Sequence, residues 1–465
     1  MLFTRQKTNI LIFFFTILLS IVTILYQLNF EDFWLDEMSS FWISDPNIQF
    51  KETLNRHSEF DWHNPIFFNL ILKNFLLYTS YDLEIARILS FIFGVLSVFL
   101  IGVLTYHIKP DFTFILSTFL ASLSIYIIKY SQELRPYSLL LMLSTLNMLL
   151  YIKLNNNYTF FFKNVFLVCF IFVSVINYST HPFSLIIFFS QIATTFYNFI
   201  NYKKKDKLFY ASILPILVLY FLFNYEYLYL QLSFDNYMLS SDIKNVFDGL
   251  YFPRFFGSKI MGYLYLILLI TLIANNKRKI FKENINYFFL FTIFVFSYLI
   301  PLTYGLIKTP VIHDRYLIFI LAPIIIMISC FIFELKKKIK NIIIIVLLLF
   351  TITNHYIEIF QREKTKPEFK NILKYIKKSE VQRIVFYDPS GTSLITFNYF
   401  SKIKNINENF EITKYEPNAN YKDSFWLVCY TPRVNFNCNL QNKNYNILEN
   451  KNMHLVNAKL IKIKN

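Results

Sequence analysis

About eleven stretches of mostly apolar residues recur along this 465-residue chain, near 9–29, 86–107, 112–128, 136–152, 160–176, 182–200, 208–226, 259–274, 286–304, 316–333 and 341–357. Each approaches the ~20 residues that a helix needs to cross a bilayer. No other feature restricts the fold as much, because in lipid every backbone N–H and C=O must be satisfied within its own segment. Composition agrees: 55% of residues are hydrophobic, 20% are aromatic and only 16% are charged, against about 25% charged in soluble proteins. Whole-chain disorder and nucleic-acid binding are excluded. The 7 glycines form no Gly-x-Gly pair, so dinucleotide and Walker phosphate loops are absent, and no Asp-x-Asp is present to hold a nucleotide sugar through a metal.

The net charge of +16 is informative through its placement. With Arg5 and Lys7 taken as cytoplasmic, every second connection should also be cytoplasmic. Those connections carry Lys109, then Lys153 and Lys163, then Lys203 to Lys207, then Lys277 to Lys282, then Lys336 to Lys340. The intervening short connections are poor in Lys and Arg, as the positive-inside rule requires. The first segment reads as an uncleaved signal anchor. The expected topology has the N-terminus cytoplasmic and the C-terminus outside, in the plasma membrane. It puts 30–85, 129–135, 177–181, 227–258, 305–315 and the tail from 358 on the outer face. Residues 1–357 form the membrane domain, with interfacial helices in 30–85, one of them running from Phe67 to Tyr78. Residues 358–465 turn polar and read as a small α/β domain, with strands at 383–388 and 424–430 and an amphipathic helix at 368–378. Cys429 and Cys438 lie in this tail, where they are either paired or two free thiols.

The residues able to do chemistry collect on the outer face. Asp36 and Glu37 directly follow the first span, among aromatics. Successive helical residues are about 100° apart, so one carboxylate can face a cavity while its neighbour meets a cation or a metal; the bland alternative is a solvated acid pair at a helix start. His63 precedes the amphipathic helix. Arg135, with Pro136 beside it, stands at a membrane mouth next to a helix start, a place suited to a phosphate. A snorkelling Arg135, or one paired to Glu133, is the structural alternative. His181 lies in a short turn at the same face, and Arg315 repeats the placement of Arg135. Ionisable groups at membrane depth merit a functional hypothesis.

In this order the residues resemble the GT-C membrane glycosyltransferases, specifically glycosyltransferase family 39, the protein-mannosyltransferase-like family that includes lipid A aminoarabinose transferases. Asp36-Glu37 is similar to the family's acidic pair. His63-Asn64-Pro65-Ile66 resembles its His-Pro-Pro-Leu segment, with Asn64 in place of the first proline. Glu84-Ile85-Ala86-Arg87 is similar to the stretch entering its second span. Gln132-Glu133-Leu134-Arg135-Pro136-Tyr137 resembles its Glu-Ala-Arg-Pro-Tyr signature, Tyr178-Ser179-Thr180-His181 its Tyr-Thr-His-Tyr turn, and Asp314-Arg315-Tyr316-Leu317 its Arg-Tyr-Leu element.

The resemblance implies a polyprenyl-phosphate-linked sugar as donor, a lipid, glycan or protein as acceptor, and transfer at the outer face with inversion. Asp36 is then expected as the base and Glu37 as its orienting partner, or as a metal ligand with His63. Arg135, Arg315 and Tyr137 are expected at the donor phosphate, and His63 and His181 in the donor or acceptor pocket. A divalent metal is compatible with this site but not required by it. The rival readings are a transporter or flippase, and a polymerase or ligase of lipid-linked glycans. A transporter should show inverted repeats and midplane charges, and the sequence has neither.

Overall fold

A computed structural model describes residues 2–154, 160–203, 206–233, 255–307, 311–388, 397–398, 410–416, 419, 421, 423–430 and 445–463. The chain is an α-helical polytopic membrane protein with a small sheet at its C-terminal end. Among the described residues ten helices are long and apolar enough to cross a membrane, and a bent pair makes an eleventh crossing if counted as one.

The helices run α1 Leu2–Leu25, α2 Leu35–Ile43, α3 Phe50–Phe60, α4 Phe67–Tyr78, α5 Leu83–Ile108, α6 Thr113–Ser122, α7 Ile125–Ser131, α8 Tyr137–Leu154, α9 Phe160–Tyr178, α10 Leu185–Tyr202 and α11 Lys207–Ser233. They continue with α12 Lys259–Arg278, α13 Ile285–Ile307, α14 Leu321–Ile332, α15 Lys337–His355 and the tail helix α16 Phe369–Ile376. The interfacial helix α4 has the bounds that its apolar pattern suggests. The third span differs from the single helix expected over 112–128. It breaks at Leu123, where the Ser124 hydroxyl caps Ile127 N–H, and the two halves meet at 54°. Serine competes for backbone donors, which is how it starts a new helix inside an apolar run. The second half, α7, runs to Ser131 and delivers the turn 132–136 to the end of the bundle that carries α2.

Lipid offers little hydrophobic gain for helix association, so close packing and buried polar pairs do that work. Asn147 Nδ2 donates to Ser174 Oγ at 2.7 Å, and Gln191 Nε2 to Asn147 Oδ1 at 2.6 Å, tying α8, α9 and α10 together. Gly94 on α5 lies so close to α7 that an added Cβ would sit 1.9 Å from Ser131 Oγ and 2.5 Å from its Cβ. Gly94→Ala should therefore cost about 1–3 kcal/mol, read as a lower midpoint of thermal unfolding in detergent. An unchanged midpoint would mean that the close approach is dispensable.

At the end opposite Asp36, Glu334 accepts from Lys109 Nζ at 2.6 Å and also from Lys279. This carboxylate joins three of the basic connections, so those three lie on one face.

The tail sheet has strands β1 Arg383–Tyr387, β2 Glu411–Lys414, β3 Phe425–Tyr430, β4 Tyr445–Met453 and β5 Val456–Ile463, in the order β2-β1-β3-β5-β4. β1 is parallel to both its neighbours, while β5 is antiparallel to β3 and β4. One sheet face, with Ile384, Phe386, Trp426 and Val428, packs on α16 and continues into the core of the outer loop through Phe33, Met38, Phe41 and Leu72. Cys429 is disulfide-bonded, and Cys438 lies outside the described residues.

Candidate active site

α2 begins on two carboxylates, which complement the partial positive charge of a helix start. Because they are successive, they diverge. Glu37 turns inward and is fully buried. Arg87 of α5 grips it with a two-pronged fork, Nε to Oε1 and Nη2 to Oε2 both at 2.9 Å, and Leu134 N–H adds a third bond at 2.8 Å. On Oε2 one further direction is left, and the Lys366 ammonium lies 3.7 Å from that oxygen. None of these bonds reaches Asp36, the partner expected for Glu37; they tie α2, α5 and the 132–136 turn together.

Asp36 turns outward. Its Oδ2 accepts from Arg315 Nη1 at 3.1 Å. Arg135 Nη1 donates to the Asp36 carbonyl at 3.1 Å, to Ser40 Oγ at 2.9 Å and to Asp61 Oδ2 at 3.0 Å. Thus Asp36, Arg135 and Arg315, spread over 280 residues, meet at one spot beside the end of α1, the start of α8 and the turn Asp314–Ile320. Arg135 is not paired with Glu133. Its partner is Asp61, which Asn64 Nδ2 also holds at 2.7 Å. The Nε of each arginine is buried and has no protein partner. Three rings surround the Arg315 guanidinium: Trp34, Tyr137 and Tyr316, with centroids 5.8, 5.7 and 5.4 Å away.

Tyr137, the first residue of α8, is buried beside these cations. His181 is also buried. Its Nδ1 accepts Phe183 N–H at 3.3 Å and its ring lies 4.7 Å from that of Tyr316. Burial, then the charges of Arg315 and Arg135, push its pKa down to about 3. His181 is therefore a neutral ring that packs behind Tyr316. His63 stacks on Trp62 at 3.8 Å, and burial lowers its pKa against the opposing pull of Asp61; the charge of Asp36 also reaches it. Among the described residues no three His, Cys, Asp or Glu side chains are grouped so as to hold a metal ion. Arg87 and Leu134 N–H engage Glu37, and no third ligand is grouped with Glu37 and His63 among the described residues.

Sequence reasoning missed four participants. Arg87 and Glu133 lie inside the motifs above, Asp61 lies two residues before His63, and Lys366 belongs to the tail. The signal for Arg87 was available: a buried guanidinium at the start of a span requires a carboxylate. Glu133 accepts Trp34 Nε1–H at 2.8 Å and an ion pair from Lys366. Burial works to raise its pKa, but the Lys366 ammonium and its hydrogen bond overcome this and hold the carboxyl well below the usual range.

No protein-family model and no curated protein matches the sequence. Solved structures do match. The chain is similar to ArnT from Cupriavidus metallidurans in its apo state, with a TM-score of 0.60 at 10% identity over 98% of each chain. It is similar to the same protein bound to undecaprenyl phosphate, with a TM-score of 0.58 at 9% identity over 97% of each chain. A third match is the oligosaccharyltransferase AglB from Archaeoglobus fulgidus, in complex with an inhibitory peptide and a dolichol-phosphate, with a TM-score of 0.55 at 9% identity. That alignment covers 90% of this chain, which spans 62% of the length of AglB. Extended over nearly the whole chain, the likeness shows that this protein shares the fold of ArnT.

Proposed function

We propose that the protein transfers a sugar from a polyprenyl-phosphate donor to a lipid, glycan or protein acceptor at the outer face of the plasma membrane, with inversion at the anomeric carbon. The observation that carries this reading is the convergence of Arg135 and Arg315 on Asp36, each with a buried Nε free of protein partners. Two guanidinium groups with donors to spare suit a phosphate, and a carboxylate between them suits a proton acceptor. The bound undecaprenyl phosphate and dolichol-phosphate of the two similar proteins support the same donor class.

The charges suggest an order of events. Without donor, Arg315 is occupied by Asp36. An arriving phosphate competes for that guanidinium and loosens its hold on the carboxylate, so the base is released as the leaving group is gripped. The acceptor hydroxyl then attacks the anomeric carbon from the face opposite the phosphate. Its O–C bond forms as the C–O bond to phosphate breaks, Asp36 takes the hydroxyl proton, and Arg315 and Arg135 stabilise the departing polyprenyl phosphate. Tyr137 and Tyr316 confine the Arg315 fork. Arg315→Ala should lower turnover by about 10²–10³-fold, the usual loss for one preorganised charge donor, measured as sugar release from lipid-linked donor by the full-length protein in detergent. A loss under threefold would remove Arg315 from the phosphate site. Arg135 is a poorer probe, because removing it leaves Asp61 buried and unpaired.

The proposed orientation, N-terminus cytoplasmic and tail outside, draws on the alternation of basic connections and on the odd number of crossings when the bent pair counts as one. The Cys429 disulfide supports the same side for the tail, since such bonds persist in oxidising compartments. The decisive experiment is mass spectrometry of lipid-linked sugars and surface glycans in a deletion strain. Accumulated donor with one missing glycan is expected. An unchanged lipid-linked pool and glycan profile would overturn the function.

A further inference from the structure

The strap between α15 and α16 binds the first outer loop through many contacts. Arg362 Nη1 donates to Gln132 Oε1 and Nη2 to the Gln27 carbonyl, both at 2.7 Å. Lys364 Nζ donates to the Phe30 carbonyl. The Glu31 carboxylate accepts Thr365 N–H at 2.9 Å and Lys366 N–H at 3.2 Å, and Asp32 accepts Lys370 N–H at 2.8 Å. One strap side chain goes further and reaches the candidate active site. The Lys366 ammonium pairs with Glu133, lies 3.7 Å from Glu37 Oε2, and sits 4.4 Å from the centroid of the Trp34 ring. Glu133 in turn accepts the indole N–H of Trp34, whose ring borders the Arg315 guanidinium.

From this chain of contacts we infer that Lys366 is a positioning residue for the transfer site. Its ammonium keeps Glu133 an anionic acceptor, the anion fixes the plane of the Trp34 indole, and the indole holds Arg315 in reach of Asp36 and the donor phosphate. The role of Lys366 in transfer rests on the function proposed above; its bracing of Trp34 rests on the contacts alone. Two features make the brace more than general adhesion. Trp34 Nε1 and Lys366 Nζ share one oxygen of a buried carboxylate, Oε1 of Glu133, so the indole is held by a charge-assisted bond, about twice as strong as a neutral one. The contacts of Arg362, Lys364, Thr365 and the Lys370 N–H end on Gln27, Phe30, Glu31, Asp32 and Gln132, none of which lies against the Arg315 guanidinium.

The inference has a pH signature. The groups facing Glu133 are Lys366 from the strap, Lys129 and Tyr130 from α7, Arg315 from the turn before α14, and the Trp34 indole. Lys366 is the largest influence holding the carboxyl ionised, and burial opposes it. Without Lys366, burial dominates and Glu133 takes up a proton as pH falls, weakening its bond to the indole.

The test uses the full-length protein in detergent with Lys366→Ala, Lys366→Arg, and Lys366→Ala combined with either Glu133→Gln or Trp34→Phe. Tryptophan emission is followed between about pH 9 and pH 5, and transfer rates are followed over the same range. In Lys366→Ala an acidic limb is expected in both readouts, with the rate falling about threefold or more through the limb as a charge-assisted bond becomes a neutral one. Trp62 is stacked on His63 in every variant, so the limb is read as a difference from the wild type, and Lys366→Arg should show no such difference. Adding Glu133→Gln should flatten both readouts, and adding Trp34→Phe should flatten the emission readout. A merely structural Lys366 would lower the yield of folded protein and leave both profiles parallel to the wild type, and that result overturns the inference. An emission limb in a protein whose wild type transfers no sugar from any lipid-linked donor would instead overturn the proposed function and leave the Lys366–Glu133–Trp34 brace standing.

Discussion

Asp36→Asn is expected to abolish transfer while leaving the protein folded and able to bind donor. Asparagine has the same shape and its Oδ1 still accepts from Arg315 Nη1, the 3.1 Å contact of the native carboxylate. It cannot take a proton from an acceptor. Losing a positioned base costs about 10²–10⁴-fold, so turnover with a lipid-linked donor should fall to near background. Size-exclusion profile, thermal midpoint and polyprenyl-phosphate binding should stay close to those of the wild type. A variant that keeps more than about a tenth of the rate would remove Asp36 as the base. Because Asp36 is only partly buried, a loss of folding is not expected to obscure the result.

The second large effect concerns folding. Arg87→Ala removes the fork that holds the fully buried Glu37 and leaves it only Leu134 N–H and the more distant Lys366 ammonium, 3.7 Å away. Breaking a buried pair by removing one partner costs about 3–5 kcal/mol. The loss should exceed that of an isolated pair, because Arg87 Nη1 also donates to the Glu31 carbonyl at 2.8 Å and its guanidinium covers the Phe33 ring at 3.9 Å. The expected outcome is a large drop in detergent-stable protein and in thermal midpoint. Arg87→Lys should rescue little, since an ammonium cannot make the two parallel bonds of the fork. Glu37→Gln should lower stability with a smaller loss of rate per folded molecule; a rate loss matching that of Asp36→Asn in well-folded protein would restore Glu37 to the chemistry.

The sequence made the membrane fold legible because lipid imposes one period and one length on every span, and the basic connections count the crossings. The spot where Asp36, Arg135, Tyr137 and Arg315 meet was legible for a related reason: permanent charges at the ends of apolar helices have few places to go. What the sequence hid was pairing. Glu37 and Asp36 are neighbours in the chain, and only the register of α2 against α5 decides which meets Arg87 and which meets Arg315. Glu133 takes the indole of Trp34 from a distant part of the chain, and the tail supplies its counter-ion, Lys366. The break at Leu123 was hidden in an apolar run whose sole mark is a pair of serines. In the tail, β4 reads as loop because nearly all its side chains are exposed and it carries Asn, Lys and Glu where strands favour branched and aromatic residues. Backbone pairing with β5 holds it in the sheet.

The same arrangement bears on how the molecule is made. Translation runs from N- to C-terminus, so Asp36 emerges well before Arg315, and Lys366 follows later still. A nascent protein stalled at any earlier codon has its acid without its guanidinium fork, or the fork without its brace. On the proposed function, a chain not yet extended through Arg315 and Lys366 lacks both the proposed grip on the donor phosphate and its brace.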